Sequence, residues 1–91
     1  MSCYLYIVRC IDNSLYTGVT WNIAQRINQH NGGFRGAKSL RGKVPVKLAY
    51  SEVYNTKGEA LKREKEIKGW RKDKKENLIA LALRNVVTMR V

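Results

Sequence analysis

Two short apolar runs constrain this chain more than any other feature. Residues 3–10 read CYLYIVRC and residues 15–20 read LYTGVT, with Asp12-Asn13-Ser14 between them and a helical pattern directly after. Two such runs around a polar turn form a β-hairpin. Side chains alternate along a strand, so Tyr4, Tyr6 and Val8 share one face of the first strand, and Tyr16 and Gly18 share one face of the second. Phenols from both strands then meet across the hairpin. The first run is apolar on both faces up to Val8, which predicts a strand covered on both sides. Gly18 inside a strand marks either a bulge or a close approach by another group.

The helix after the hairpin is expected over residues 23–31, with Thr20 or Asn22 as its cap and Gly32-Gly33 as its end. Ile23 and Ile27 form its buried stripe, and Arg26 and His30, also four apart, project beside that stripe. Residues 34–45 are basic and glycine-punctuated, which reads as a loop that tracks phosphates. Residues 46–53 alternate as a third strand, placing Val46, Leu48 and Tyr50 on one side and Ala49 and Val53 on the other.

The next helix holds an anomaly. Thr56-Lys57-Gly58-Glu59 is a capping box, so the helix starts near Lys57. Ala60, Leu61 and Ile67 give its apolar stripe, and Glu64 falls in the middle of that stripe. A buried carboxylate costs several kcal/mol unless it is paired or bound to a metal. Glu64 therefore needs a partner: an arginine such as Arg26, or a cation in a cleft. A third helix opens at Asp73-Lys74-Lys75-Glu76. Its segment 78–83 is apolar all round and suits either the core or a homodimer face. Residues 1–84 read as one domain and residues 85–91 as a C-terminal tail, either frayed or a short added strand.

Charge narrows the function. Among 91 residues, 18 Lys and Arg stand against 7 Asp and Glu, a net charge of +11. Such a surface attracts polyanions, nucleic acid above all. The charge is clustered, which points to Arg35, Lys38, Arg41 and Lys43 in the loop and Lys62, Arg63, Lys68 and Arg71 around the later helix as nucleic-acid contacts. No segment is apolar enough to span a bilayer, and no signal region opens the chain, so it reads as a cytoplasmic protein without a membrane partner. Cys3 and Cys10 would lie roughly 23 Å apart in one extended strand, which excludes a disulfide between them. No zinc-type cluster is present. Tyr6, Tyr16, Arg26, His30 and Glu64 remain, and that set suits phosphodiester hydrolysis. Mg²⁺ binds through as little as one carboxylate with waters and phosphate oxygens, and an arginine neutralises charge on the phosphate.

These residues also carry a resemblance. Tyr4-Leu5-Tyr6, Tyr16-Thr17-Gly18, Arg26 with His30 one turn later, and Arg63-Glu64 resemble, in order, the motifs of the GIY-YIG nuclease superfamily. The likeness is to its small stand-alone bacterial branch and covers residues 3 to about 80. The first tripeptide departs from Gly-Ile-Tyr, and only Asn77 matches the late asparagine of many relatives. The resemblance implies an α/β (α+β) fold, with a three-stranded antiparallel sheet flanked by about three helices. It also implies an endonuclease using Mg²⁺ or Mn²⁺ on DNA, directed to structure or damage and leaving a 3′-hydroxyl. In that scheme Tyr6 is the general base or positions the water, supported by Tyr16. Arg26 stabilises the phosphate, Glu64 holds the metal and His30 is a base or orienting partner. RNA is the other polyanion the charge allows. A non-catalytic nucleic-acid binder on the same scaffold is the competing function, and a protein-interaction module built on the apolar helix is a third.

Overall fold

The computed structural model describes residues 2–32, 40 and 42–89, with side chains described as far as residue 83. In chain order come β1 (Cys3–Arg9), β2 (Leu15–Thr20), α1 (Ile23–Gly32), β3 (Lys47–Tyr54), α2 (Lys57–Lys68) and α3 (Lys72–Met89). The strands form one antiparallel sheet in the order β2-β1-β3, so β1 is central. Among the described residues, three antiparallel strands with three helices match the α+β class expected from the sequence. No helix among the described residues is long and apolar enough to cross a membrane.

The hairpin turn is made by local chemistry. Asn13 takes a left-handed conformation (φ 71°), tolerable for a residue whose short side chain hydrogen-bonds locally. The Asp12 carboxylate accepts from the Ser14 amide and hydroxyl. At the far end Asn22, not Thr20, caps α1, its Oδ1 accepting from the Gln25 amide at 3.0 Å. The Thr56 hydroxyl caps α2 by accepting from the Glu59 amide.

The apolar character of β1 on both faces follows from its cover. Tyr6, Val8 and Cys10 pack with Leu40, Val46 and the α1 residues Ile23 and Ile27. Leu5 and Ile7 pack on the other face with Ile67 of α2 and Ile79 of α3. Burying each such side chain contributes about 1.5–3 kcal/mol. Cys3 and Cys10 are free and buried at the two ends of this strand. Arg9 makes a two-pronged ion pair with Glu76, both contacts 2.7 Å, joining the end of β1 to α3.

Three expectations change. A bulge between Ile7 and Val8 sets Tyr50 opposite Ile7 and Leu48 opposite Val8, with Ala49 as the extra residue. Leu48 and Tyr50 therefore lie on opposite faces, because pairing with β1 overrides simple alternation. Leu61, assigned to the stripe of α2, is 43% exposed; only Ala60 and Ile67 of that helix are buried. The two are seven residues apart, a single line along the helix, and Leu61 sits 100° away from Ala60. Finally, α3 runs on through Met89, where a frayed or stranded tail was expected. Its segment 78–83 is not wrapped by the core: Ile79 is buried, while Leu81 and Leu83 face outward.

On β3, Glu52 turns toward α2 and gathers donors. Tyr50 and Tyr54 give it their phenol protons, and Arg63 gives Nε at 3.0 Å and Nη2 at 3.2 Å. Burial opposes the Glu52 charge, but Arg63 and the two phenols outweigh it and hold the carboxyl below its usual range. The phenols are pushed up to about 12, by burial first and then by the bonds to Glu52.

Candidate active site

Antiparallel register sets Tyr6 opposite Gly18 and Val8 opposite Tyr16. The pairing of β1 with β2 is unbroken there, so Gly18 is not a bulge. It leaves room for the Tyr6 ring: a Cβ on Gly18 would lie 2.6 Å from the Tyr6 Oη and 2.7 Å from its Cζ. Tyr4, opposite Thr20, is half-buried two residues away.

Helix α1 lies over this face and delivers His30, which is 1% exposed and more buried than either isoleucine of the expected stripe. Its Nε2 is 2.8 Å from the Tyr6 Oη. The His30 ring also meets Tyr16 nearly edge-on, centroids 5.5 Å apart, and the Tyr6 and Tyr16 centroids are 6.4 Å apart. Arg26, one turn earlier and half-buried, donates to Gln29 Oε1 at 3.1 Å. Its guanidinium also reaches the Tyr6 phenol. Glu64 of α2 is 19% exposed, lies 3.4 Å from Lys68 Nζ, and is near enough for its charge to act on Tyr6. The structure thus brings Tyr6, Tyr16, Arg26, His30 and Glu64 to one place.

Burial is the main force on the Tyr6 phenol and raises it above its ordinary value. Arg26 opposes the shift, while Tyr16 and Glu64 add to it. His30 is pushed below its ordinary 6.5, first by burial and then by Arg26. Tyr6 is accordingly protonated and His30 neutral at pH 7. A neutral imidazole has one bare nitrogen, and with that nitrogen at Nε2 the ring accepts the Tyr6 proton.

This has a consequence for stability. As pH falls, the unfolded chain, with histidine near 6.5, takes up its proton before the folded chain does. The stabilisation is therefore complete above 6.5 and is lost as pH falls through the depressed folded value. Melting temperature should decline over that interval, and His30→Gln should flatten that part of the profile. An unchanged slope in the variant would remove His30 from the account.

The basic residues fare differently. Arg35, Lys38 and Arg41 lie outside the described residues. Lys62 and Arg71 are exposed, and Lys43 is half-exposed beside Asp12 at 3.7 Å. Lys68 is turned to Glu64. Arg63 departs from the expectation of a nucleic-acid contact: Glu52 and Glu66 take its guanidinium, which also lies over Trp70 at 5.1 Å. Asn77 is exposed on α3. Glu52 was not expected in this role, although the sequence carries a signal for it: an acid flanked at i−2 and i+2 by tyrosines shares their strand face.

Among the described residues no three His, Cys, Asp or Glu converge as a metal cage. One half-buried carboxylate near a phenol and a guanidinium nevertheless fits a hard cation that keeps most of its waters and takes phosphate oxygens.

Residues 2–77 match the GIY-YIG catalytic domain family. A UPF0213 protein of Staphylococcus saprophyticus is 52% identical over 77 residues, covering 85% of this chain and 93% of that one. A UPF0213 protein of Haloquadratum walsbyi is 48% identical over 75 residues, covering 82% of this chain and 83% of that one. The solution NMR structure of the UPF0213 protein BH0048 of Bacillus halodurans superposes with a TM-score of 0.57 at 41% identity, over 89% of this chain and 85% of that one.

Proposed function

The chain belongs to the GIY-YIG catalytic domain family, a family of nucleases, and from that premise we propose that it is a divalent-metal-dependent endonuclease hydrolysing phosphodiester bonds in DNA, directed to structure or damage in repair. The observation that carries this reading is the Tyr6 phenol, seated on Gly18, bonded to a neutral His30 and reached by Arg26, with the charge of Glu64 acting on it. Mg²⁺ or Mn²⁺ held at Glu64 would supply Lewis acidity at the phosphate and acidify the attacking water.

The remaining chemistry belongs to the side chains. Tyr6 is a phenol at neutral pH, so it serves as a relay. As it takes a proton from the water, it passes its own to His30 Nε2; the oxygen so freed attacks phosphorus as the P–O3′ bond breaks, and the departing 3′-oxygen takes a proton from solvent to become the 3′-hydroxyl. Arg26 balances the charge that grows on the phosphate. Tyr16, edge-on to His30, fixes the imidazole that receives the proton. The exposed cations Lys62 and Arg71 supply sequence-independent attraction to the phosphate backbone.

The test is cleavage of a substrate panel of duplex, single-stranded, branched and lesion-bearing DNA, with Mg²⁺, with Mn²⁺ and with chelator. Metal-dependent nicking that leaves a 3′-hydroxyl is expected. Steeply salt-dependent binding with no cleavage of any member would establish the non-catalytic binder instead, and cleavage of RNA alone would move the substrate class.

A further inference from the structure

The grouping around Glu52 takes no part in the chemistry described above, yet it bears on α2, the helix that carries Glu64. Glu52 is half-buried, with its side chain 18% exposed, and accepts from Tyr50, Tyr54 and two nitrogens of Arg63. Arg63 in turn reaches Glu66 at 2.7 Å and lies over Trp70. At 100° per residue, Ala60 and Ile67 define one line along α2, and Arg63 and Glu64 stand about 50° to either side of it.

Apolar packing along a single line resists translation of a helix but resists rolling poorly. Leu61, which would have widened the contact, is exposed. A roll of about 20° sweeps a side chain at a radius of roughly 5–6 Å through about 2 Å. Functional geometry tolerates only about 0.5 Å. A hold on one flank of the line therefore fixes what projects from the other.

We propose that the Glu52–Arg63 brace sets the roll of α2 and so aims the Glu64 carboxylate, making Glu52 a positioning residue for the metal ligand. The inference rests on the reading of Glu64 as that ligand. It gives a role to Tyr50, Glu52 and Arg63, none of which enters the proton relay. Glu66 is the outer, exposed partner of Arg63 and is dispensable to the brace.

The test is titration of the DNA-free protein with Mn²⁺ alone, read by paramagnetic broadening of backbone amide signals. In the parent, broadening should centre on Glu64 and the amides of Tyr6 and Arg26. Glu52→Gln keeps the shape and removes the charge, and should need about tenfold more Mn²⁺ for the same broadening. Glu66→Gln should match the parent. Amide shifts away from α2 should stay in place, which separates mis-aiming from loss of fold. If Glu52→Gln does not fold, Arg63→Lys is measured in its place with the same expectation. A Mn²⁺ requirement within twofold of the parent overturns the brace. Glu64→Ala, run alongside, distinguishes the two failures. Unchanged broadening there removes Glu64 as the ligand, and the brace proposal with it. Lost broadening there, with Glu52→Gln like the parent, removes the brace alone.

Discussion

Glu64→Ala should lower cleavage by about 10³-fold or more, corresponding to about 4 kcal/mol of transition-state stabilisation. The fold should survive, because the carboxylate is only half-buried and its neighbours Ala60 and Ile67 carry the packing of α2. Lys68 loses an i,i+4 partner, a surface pair worth at most about 0.5 kcal/mol. Binding to uncleaved DNA should be unchanged or slightly tighter, since one negative charge leaves a strongly basic surface. The measurements are single-turnover cleavage, a melting curve and a binding isotherm at one fixed salt concentration. Cleavage at the parental rate would show that Glu64 is not part of the site.

Gly18→Ala should be nearly as damaging by a different route. The added methyl would meet the Tyr6 ring at 2.6–2.9 Å, closer than atoms can pack. Tyr6 cannot move aside cheaply, because it is 1% exposed and bonded to His30. Overpacking of this kind costs about 1–3 kcal/mol in stability. The displaced phenol should also cost about 10²-fold in rate, the usual penalty for an ångström of misplacement. Gly58→Ala is the matched control. A Cβ there meets nothing within 4 Å, so the substitution should leave cleavage intact and stabilise α2 by up to about 1 kcal/mol. If both variants melt and cut alike, the fit of Tyr6 on Gly18 has no functional weight.

The sequence was most legible where structure is decided locally. The hairpin rests on Asp12 and its neighbours, and both helix caps lie within three residues of the amides they satisfy. Glu64 could be singled out because helical periodicity alone sets it between Ala60 and Ile67. Long-range pairing was not legible. The bulge at Ala49 depends on how β3 meets β1, and it reverses the faces of Leu48 and Tyr50 relative to each other. His30 could be placed only beside the stripe of Ile23 and Ile27, because nothing near it in sequence reveals that Tyr6, 24 positions away, completes its hydrogen bonding. Arg63 read as a free cation for the same reason, since its partner Glu52 belongs to another element. The outward leucines of α3 could not be told from core residues without knowing that the sheet meets that helix at Ile79.

The central place of β1 bears on how long the site lasts between unfolding events. Tyr6 sits in the strand bonded on both edges and covered on both faces, so no partial opening frees it without separating the sheet. Its amide should exchange with solvent only through global unfolding, as the slowest class of amides does in small domains. The outer part of α3, with Leu81 and Leu83 exposed, belongs to the opposite class and can open by itself. The phenol relay consequently persists until the whole sheet gives way, while the turns of α3 around Leu81 and Leu83 exchange on a much shorter clock.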